Sequence, residues 1–307
     1  MLFRSNCVLE SVQKTTRGQT KDLKIGLVLE GGGFRGIYTA GVLDVFMDNG
    51  LAFDGVIGVS AGVIHGCSFL SGQKGRSIRY YKKYCGDPRF MSLKSWLKTG
   101  NVVGVDFCYR ELPEELDKYD YKAFSENKTP FYAVCSNVES GEADLIRITD
   151  MKEQINFVRA SASLPYFSKI VEINGKKYLD GGVTDSIPVK LFREKGYERN
   201  VVVMTRTADY RKEKGNSFTS GLFYRKYPKF ASALSNRYLM YNQEKDFIAN
   251  LESKGEVFCI QPKFTPEIGR LEADPEKIQR VYDMGRSDAT EAMESLVKWL
   301  AEQRVKS

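Results

Sequence analysis

The chain has 307 residues, 42% of them hydrophobic and 28% charged, which is the composition of a folded globular protein and excludes a disordered one. Lysine and arginine exceed aspartate and glutamate by 46 to 39, and this net charge of +7 fits an anionic membrane or nucleic acid as well as an ordinary soluble protein. No uninterrupted apolar stretch reaches the roughly 18 residues of a spanning helix, and the first twenty residues lack the apolar segment of a secretory signal. We therefore expect a cytoplasmic protein.

The six cysteines are scattered along the chain without a C-x-x-C pair, and there is one histidine. This spacing is typical of reduced thiols in or near the core of a cytosolic protein. Because no set of histidines and cysteines could complete a zinc site, we expect no structural metal.

The first part of the chain predicts alternating strands and helices. Residues 1–22 are polar and aperiodic, and we interpret them as an N-terminal arm. The run KIGLVL at 24–29 predicts a buried strand, and 37–48 carries apolar residues at helical spacing before Gly50. A second strand over 54–59 and a nearly all-apolar helix over 61–70 follow. This order predicts a parallel sheet with right-handed crossovers, and therefore an α/β fold.

The rest of the chain continues the mixture of strands and helices. Residues 75–127 are predicted to be mainly helical, and Asn174-Gly175 marks a hairpin between two short strands. Further strands are predicted over 130–138, 144–149, 170–173, 176–179, 201–204 and 256–261, and further helices over 152–159, 188–195, 221–254 and 275–305. No linker divides the chain, so we predict a main domain over 23–265 and a helical C-terminal extension over 266–307 that packs on it.

A glycine-rich loop connects the first strand to the first helix. Gly31, Gly33 and Gly36 match G-x-G-x-x-G, the dinucleotide fingerprint, with Gly32 and Arg35 between them. Free amides at a helix N-terminus bind negative charge, which could belong to a pyrophosphate or to the oxyanion of an acyl-transfer intermediate. The loop alone therefore leaves both chemistries open.

The second strand ends in a G-x-S-x-G motif formed by Gly58, Ser60 and Gly62. These glycines allow the sharp strand-to-helix turn that lifts a serine hydroxyl above the sheet edge. A dinucleotide fold needs an acidic residue at this position to hold the ribose, and the nearest acid, Asp54, begins the strand at the opposite edge. The two loops thus favour an acyl-transfer site, and a dinucleotide-binding oxidoreductase is the alternative.

A serine nucleophile needs a base, and the sequence offers two candidates. His65 lies five residues beyond Ser60 on the predicted helix, where it points roughly 140° away from the serine, so we interpret it as a structural histidine. Asp180, followed by Gly181 and Gly182, ends a predicted strand. An aspartate at such a turn is often only a helix cap, but beside a serine without another base we favour a catalytic carboxylate.

In this order, the glycine-rich loop, the G-x-S-x-G turn and the D-G-G motif resemble the patatin-like phospholipases. The resemblance extends through the segment RASASLP at 159–165 and covers roughly residues 24–204. It implies an α/β fold with a parallel or mixed sheet sandwiched by helices, and a calcium-independent lipid acyl hydrolase that needs no cofactor or metal. One departure is Asp185, where bacterial relatives often have an asparagine, and we assign it no role.

The resemblance also implies a role for each motif. Ser60 would be the nucleophile and Asp180 the proton acceptor of a Ser-Asp dyad, and the amides of Gly32 and Gly33, with Arg35 nearby, would form the oxyanion hole. The substrate would be a lipid or another acyl ester. A non-catalytic lipid-binding module with the same fold is the remaining alternative.

Residues 222–247 interleave aromatic residues with arginine and lysine. This composition suits a surface that meets anionic lipid headgroups, although packed helices would show the same pattern. We therefore predict weak peripheral contact with an anionic membrane at its inner face. Single-stranded nucleic acid would use the same residue types, but we expect no nucleic-acid partner beside a hydrolase site.

Overall fold

A mixed eight-stranded sheet forms the centre of the molecule in a computed structural model, which describes residues 23–215, 217–269 and 272–305. The predicted N-terminal arm, 1–22, lies outside these described residues. The strands are β1 (Ile25–Leu29), β2 (Gly55–Val59), β3 (Phe131–Asn137), β4 (Ala143–Ile148), β5 (Val171–Ile173), β6 (Lys176–Asp180), β7 (Arg199–Val203) and β8 (Val257–Ile260). Their order across the sheet is β5-β6-β3-β2-β1-β7-β8, and β4 pairs with β3 outside this path.

Helices cover the sheet on both faces. They are α1 (Ile37–Asp48), α2 (Ala61–Leu70), α3 (Arg76–Tyr84), α4 (Leu93–Thr99), α5 (Tyr121–Glu126), α6 (Ile155–Ser161), α7 (Val189–Glu194), α8 (Ser217–Phe223), α9 (Pro228–Ser253) and α10 (Pro275–Val305), together with a π-helix at Phe107–Leu116. The predicted α/β fold with a sheet sandwiched by helices is confirmed, and so is the helical C-terminal region.

Alternation along the strands divides the apolar core into two halves. Leu27 and Leu29 of β1 lie in the half that contains α1 and α10, whereas Val28 lies in the other half with Phe192 of α7 and Tyr241 of α9. Neighbouring side chains of a strand point to opposite faces, so a strand covered on both sides is apolar at nearly every position. This explains why the central strands read as continuous apolar runs.

The strands at the start of the chain pair in parallel, as their alternation with helices predicted. β1 pairs in parallel with β2 and with β7, β2 pairs in parallel with β3, and β7 with β8. The hairpin predicted at Asn174-Gly175 joins β5 and β6, which are antiparallel. The predicted helical region over 221–254 consists of two helices, because Pro228 occupies the first turn of α9. The predicted domain boundary at residue 265 stays a prediction.

Two glycines let α1 and α10 approach each other closely. A Cβ atom on Gly285 would overlap the carbonyl oxygen of Tyr38, and one on Gly41 would overlap that of Tyr282. The two helices also share hydrogen bonds, in which Tyr38 donates to Asp288 at 2.9 Å and Tyr282 donates to Asp44 at 2.6 Å. Because α1 begins at the glycine-rich loop, this contact ties the C-terminal helix to the loop.

We predict that Gly285→Ala lowers the free energy of unfolding by about 2 kcal/mol. Alanine is the better helix former by about 1 kcal/mol, but a methyl group in a backbone contact costs about 1–3 kcal/mol or more. Ser295→Ala, at an exposed position of the same helix, is the matched control and should change stability by less than about 0.5 kcal/mol. Urea denaturation measures both, and an unchanged midpoint for Gly285→Ala would contradict the close contact.

Candidate active site

The ends of β2 and β6 meet on the same side of β3. Val59, the last residue of β2, pairs with Val134, and Asp180, the last residue of β6, pairs with the next residue, Cys135. At both positions β4 occupies the other side of β3, so β2 and β6 approach each other end to end. This arrangement places the G-x-S-x-G turn against the D-G-G motif, although they are 120 residues apart in sequence.

Ser60 occupies a sharp turn between β2 and α2. Its backbone has φ 54° and ψ −119°, a combination that residues with a side chain rarely adopt. Its N–H donates to the Oγ of Ser161 at 3.0 Å, and Ser161 in turn donates to the carbonyl oxygen of Val134 at 2.6 Å. The turn also needs glycine beside it, because a Cβ atom on Gly62 would overlap the carbonyl oxygen of Leu29.

Asp180 binds the serine hydroxyl with one oxygen and, with the other, caps the short 3-10 helix Gly181–Val183. The Oγ of Ser60 donates to Oδ2 of Asp180 at 2.7 Å, and the N–H of Gly182 donates to Oδ1 at 2.8 Å. The capping role and the contact with the serine are therefore both present in one carboxylate. Burial raises the pKa of Asp180, whereas Arg237 and the hydrogen bond from Ser60 oppose that shift.

His65 lies apart from this pair. It is buried, its Nδ1 lies 3.0 Å from the Oγ of Ser77, and burial lowers its pKa to about 3. Its Nε2 packs below Gly36, where a Cβ atom would lie 3.2 Å away. A neutral buried imidazole bonded to Ser77 fits the predicted structural histidine.

The glycine-rich loop lies beside the serine turn. A Cβ atom on Gly31 would lie 3.2 Å from the Cβ of Ser60, and Gly33 has φ +57°. Among the described residues, the backbone N–H groups of Gly32 and Gly33 donate to no protein acceptor. They are therefore available to an oxygen bound near Ser60.

The side chain of Arg35 lies among charged residues outside the cavity. Its charged neighbours are Arg206 and Glu30, and it does not line the cavity next to Ser60. The structure thus brings Ser60, Asp180 and the glycine amides together, and the predicted contribution of Arg35 to the oxyanion hole stays a prediction.

An apolar cavity of about 130 Å³ opens at Ser60 and Gly33. Its walls come from α2, α3, the π-helix and the segment 151–164, and they include Phe34, Ile64, Tyr80, Tyr81, Phe90, Met91, Leu112, Met151, Val158 and Leu164. Such a lining receives an apolar group rather than a charged one.

The structure adds residues whose contacts with the site could not be predicted from the sequence alone. Ser161 belongs to a motif noted in the sequence, but its contact with the N–H of Ser60 depends on the fold. Glu244 of α9 accepts hydrogen bonds from the N–H groups of Ser186 and Ile187 at 3.1 Å each, and so holds the segment after the D-G-G motif. Asp185 is buried beside Glu244, and burial raises its pKa.

Two further features of the described residues bear on cofactors and membranes. None of their His, Cys, Asp and Glu side chains form a group of three or more that could hold a metal ion. Within the same ranges, no helix has both the length and the apolar content that crossing a bilayer requires.

Comparison with known proteins gives two matching family models. One, described as patatin-like phospholipase, matches residues 27–193, and a second, described only as a domain of unknown function, matches 227–301. The first therefore covers both dyad candidates and the glycine-rich loop. The second lies over α9, β8 and most of α10.

Individual relatives match the same region. An uncharacterized protein of Escherichia coli K12, YjjU, is 32% identical over 59% of this chain and 52% of its own length. Lysophospholipase NTE1 of Cryptococcus neoformans is 28% identical over 61% of this chain and 11% of its own length. The chain thus spans about half of the first relative and a small part of the second. Human group IVD cytosolic phospholipase A2 has a similar fold, with 10% identity and a TM-score of 0.53 over 99% of this chain and 63% of that one.

The strained backbone of Ser60 yields a prediction about stability. We expect Ser60→Gly to be about 1 kcal/mol more stable than Ser60→Ala, because both variants lose the hydroxyl but only glycine relaxes the positive φ. Ala61→Gly is the matched control: its position begins a helix, so glycine there should cost about 0.5–1 kcal/mol. Thermal and urea denaturation compare the three, and a glycine variant less stable than the alanine variant would contradict the strain.

Proposed function

The chain belongs to the patatin-like phospholipase family, and from this premise we propose that it is a serine hydrolase of lipid acyl esters that works with a Ser60–Asp180 dyad. The observation that carries the proposal is the hydrogen bond of 2.7 Å from the hydroxyl of Ser60, which lines an apolar cavity, to the buried carboxylate of Asp180. A carboxylate in water is a poor base for a serine hydroxyl, but burial raises the pKa of Asp180 and so strengthens it as a proton acceptor.

In the first half of the proposed reaction, the Oγ of Ser60 attacks the ester carbonyl carbon while Asp180 accepts its proton. The carbonyl oxygen becomes an oxyanion, and the N–H groups of Gly32 and Gly33, which have no acceptor among the described residues, donate to it. The C–O bond to the alcohol then breaks, and the proton on Asp180 passes to the departing alkoxide oxygen. The acyl group remains on Ser60 as an ester.

In the second half, water attacks the acyl-enzyme. Asp180 accepts a proton from this water, the same two amides hold the second oxyanion, and the Ser60 oxygen leaves with the proton from Asp180. The free fatty acid and the original serine result. The acyl chain lies in the apolar cavity throughout, since burial of its methylene groups contributes about 0.8 kcal/mol each.

The decisive experiment is labelling with a fluorophosphonate, followed by mass spectrometry of the modified residue. We expect the label on Ser60, and we expect Ser60→Ala to abolish both labelling and ester hydrolysis. Asp180→Asn keeps the shape but removes the proton acceptor, and its kcat should fall at least on the order of 10²-fold.

His65→Gln is the control for the base, because it alters the other candidate without touching the dyad. Per folded molecule, it should retain kcat close to the wild-type value. Loss of activity in His65→Gln but not in Asp180→Asn would exclude the dyad. Folded wild-type protein that neither takes up the label nor hydrolyses any lipid ester would instead support a non-catalytic lipid-binding module.

We also propose that the protein docks on anionic membranes through a surface that we call the apolar rim. It comprises exposed side chains of α4 and α8, namely Leu93, Leu97, Phe218, Leu222 and Phe223. Tyr166 lies between the two helices. Its carbonyl oxygen accepts a hydrogen bond from Trp96 Nε1 at 3.0 Å, and the centre of its ring lies 5.1 Å from the centre of the Phe223 ring.

The rim adjoins the cavity and carries positive charge. Two residues that line the cavity connect directly to the rim. Met91 lies two residues before the start of α4, and Leu164 lies two residues before Tyr166. Exposed lysine and arginine residues lie in α4 or shortly after α8 in the sequence: Lys94, Lys98, Arg225, Lys226 and Lys229. Of the segment 222–247 that was predicted to meet the membrane, the proposed surface uses only the first residues, from Leu222 to Lys229. Three aromatic residues of the segment are buried in the core and cannot contact lipid: Tyr224, Phe230 and Tyr241.

We predict that a triple variant binds anionic vesicles more weakly than the wild type, on the order of 10²-fold. Its substitutions are Arg225→Gln, Lys226→Gln and Lys229→Gln. Each cation near such a surface contributes about 1 kcal/mol, and salt screens this contribution. Vesicle co-sedimentation as a function of salt measures the effect. Hydrolysis of lipid in vesicles should fall with binding, whereas hydrolysis of a small water-soluble ester should not.

The matched control is a second triple variant that removes three exposed lysines from the opposite edge of the sheet. Its substitutions are Lys24→Gln, Lys195→Gln and Lys254→Gln. These residues precede β1, β7 and β8, which run in parallel, so they lie at the edge away from Ser60. This control changes net charge by the same amount and should bind vesicles almost as the wild type does. Equal loss in the two triple variants would show that overall charge, rather than the rim, governs docking.

A further inference from the structure

Four cationic side chains gather on the side of the active site that the apolar cavity does not reach. This cationic cluster consists of Arg35, Arg206, Lys212 and Arg237, and none of the four lines the cavity. Arg35 lies in the glycine-rich loop, Arg206 and Lys212 follow β7, and Arg237 lies on α9. The last three lie outside residues 27–193, so the family motifs do not account for them.

The cluster reaches from the oxyanion loop to the base. A Cβ atom on Gly182 would lie 2.9 Å from Nη2 of Arg237 and 3.0 Å from Oδ1 of Asp180, so the guanidinium lies next to the carboxylate. At the other end, Arg206 follows Thr205, whose side chain packs against the Cα of Gly32. A group held by the cluster would therefore lie beside the bond that Ser60 attacks.

Positive charge in the cluster exceeds the negative charge that faces it. Within the part of the chain that the structure describes, none of the four side chains forms an ion pair within 4.0 Å, and the buried Nε atoms of Arg35 and Arg237 have no hydrogen-bond partner. The two nearby buried carboxylates are already engaged. Glu30 accepts hydrogen bonds from Thr205 and Tyr241, and Asp180 accepts them from Ser60 and Gly182.

The side chain of Lys212 shows the resulting repulsion and is held in place. Burial and the charges of Arg237, Arg35 and Arg206 lower its pKa to about 8. Its backbone exchanges two hydrogen bonds with the side chain of Asn242, at 2.8 and 3.1 Å, and its Nζ lies 4.8 Å from the centre of the Tyr241 ring. An anion bound here would relieve the repulsion without rearrangement of the lysine.

We propose that the cationic cluster is a subsite for the phosphate group of the lipid ester substrate. This assignment rests on the proposed hydrolysis and adds a position for the alcohol portion of the substrate. The acyl chain occupies the apolar cavity on one side of Ser60, so the alcohol must leave on the other side, where the cluster lies. A guanidinium group can donate two parallel hydrogen bonds to the oxygens of one phosphate. Several cations together balance the one to two negative charges that the phosphate carries.

The test compares short-chain esters that stay monomeric in water, so that membrane docking does not contribute. The measured quantity is the ratio of kcat/KM for dibutanoyl phosphatidic acid to that for uncharged dibutanoylglycerol. Lys212→Gln and Arg206→Gln should each lower this ratio about 10-fold, which corresponds to about 1.4 kcal/mol, because each removes a cation that can donate a charge-assisted hydrogen bond to the phosphate. Lys214→Gln, an exposed lysine two residues away, is the matched control and should leave the ratio at its wild-type value. A ratio unaffected by Lys212→Gln and Arg206→Gln would overturn the subsite.

A binding measurement separates this proposal from the proposed hydrolysis. Titration of Ser60→Ala protein with inorganic phosphate should show saturable binding, which the added Lys212→Gln change should weaken. If the protein binds phosphate through Lys212 but hydrolyses no ester, the proposed function fails while the anion site stands. If esters are hydrolysed and phosphate binds but the ratio is unchanged, the site takes free phosphate and the assignment to the lipid is wrong.

Discussion

The candidate site depends on one hydrogen bond, between the Ser60 hydroxyl and Asp180, whose partners come from two strands that meet end to end. β3 makes this meeting possible because it pairs with β2 along its first part and with β6 along its last. The strained backbone of Ser60 and the small residues around it follow from the same requirement. A hydroxyl can project from a strand end toward a second strand only where the chain turns sharply, and little space remains for side chains beside such a turn.

The surroundings of the Ser60–Asp180 pair differ on its two sides. An apolar cavity lies on one side, next to Ser60, and burial raises the pKa of Asp180. Cationic side chains lie on the other, and Arg237 opposes that shift. A buried carboxylate must remain ionised to act as a base, so a nearby guanidinium balances the cost of removing the charge from water. The same asymmetry suits an ester whose acyl and alcohol portions differ in polarity.

The helices after β7 are part of this arrangement. α9 carries Arg237 beside Asp180, and its Glu244 holds the backbone of the segment after the D-G-G motif. α10 packs on α1 through Gly285 and Gly41, and α1 continues from the glycine-rich loop. Residues beyond the patatin-like match therefore support both loops of the candidate site, which gives the C-terminal region a physical role in a site whose motifs all precede it.

The sequence by itself determined the local elements and the order of the motifs, because these depend on nearby residues. Apolar runs bounded by glycine predict β1 and β2, and the placement of Ser60 after β2 already argued against a dinucleotide site. His65 could be set aside by counting positions along one helix. Only the tertiary structure decided that β6 lies beside the end of β2, because sheet register between distant segments depends on contacts that no local pattern records. It also decided which aromatic residues of 222–247 are buried, and it brought Arg206, Lys212 and Arg237 together from separate segments, with Arg237 next to Asp180. Charges that converge from distant parts of a chain carry no common spacing, so the cluster has no signature in the sequence.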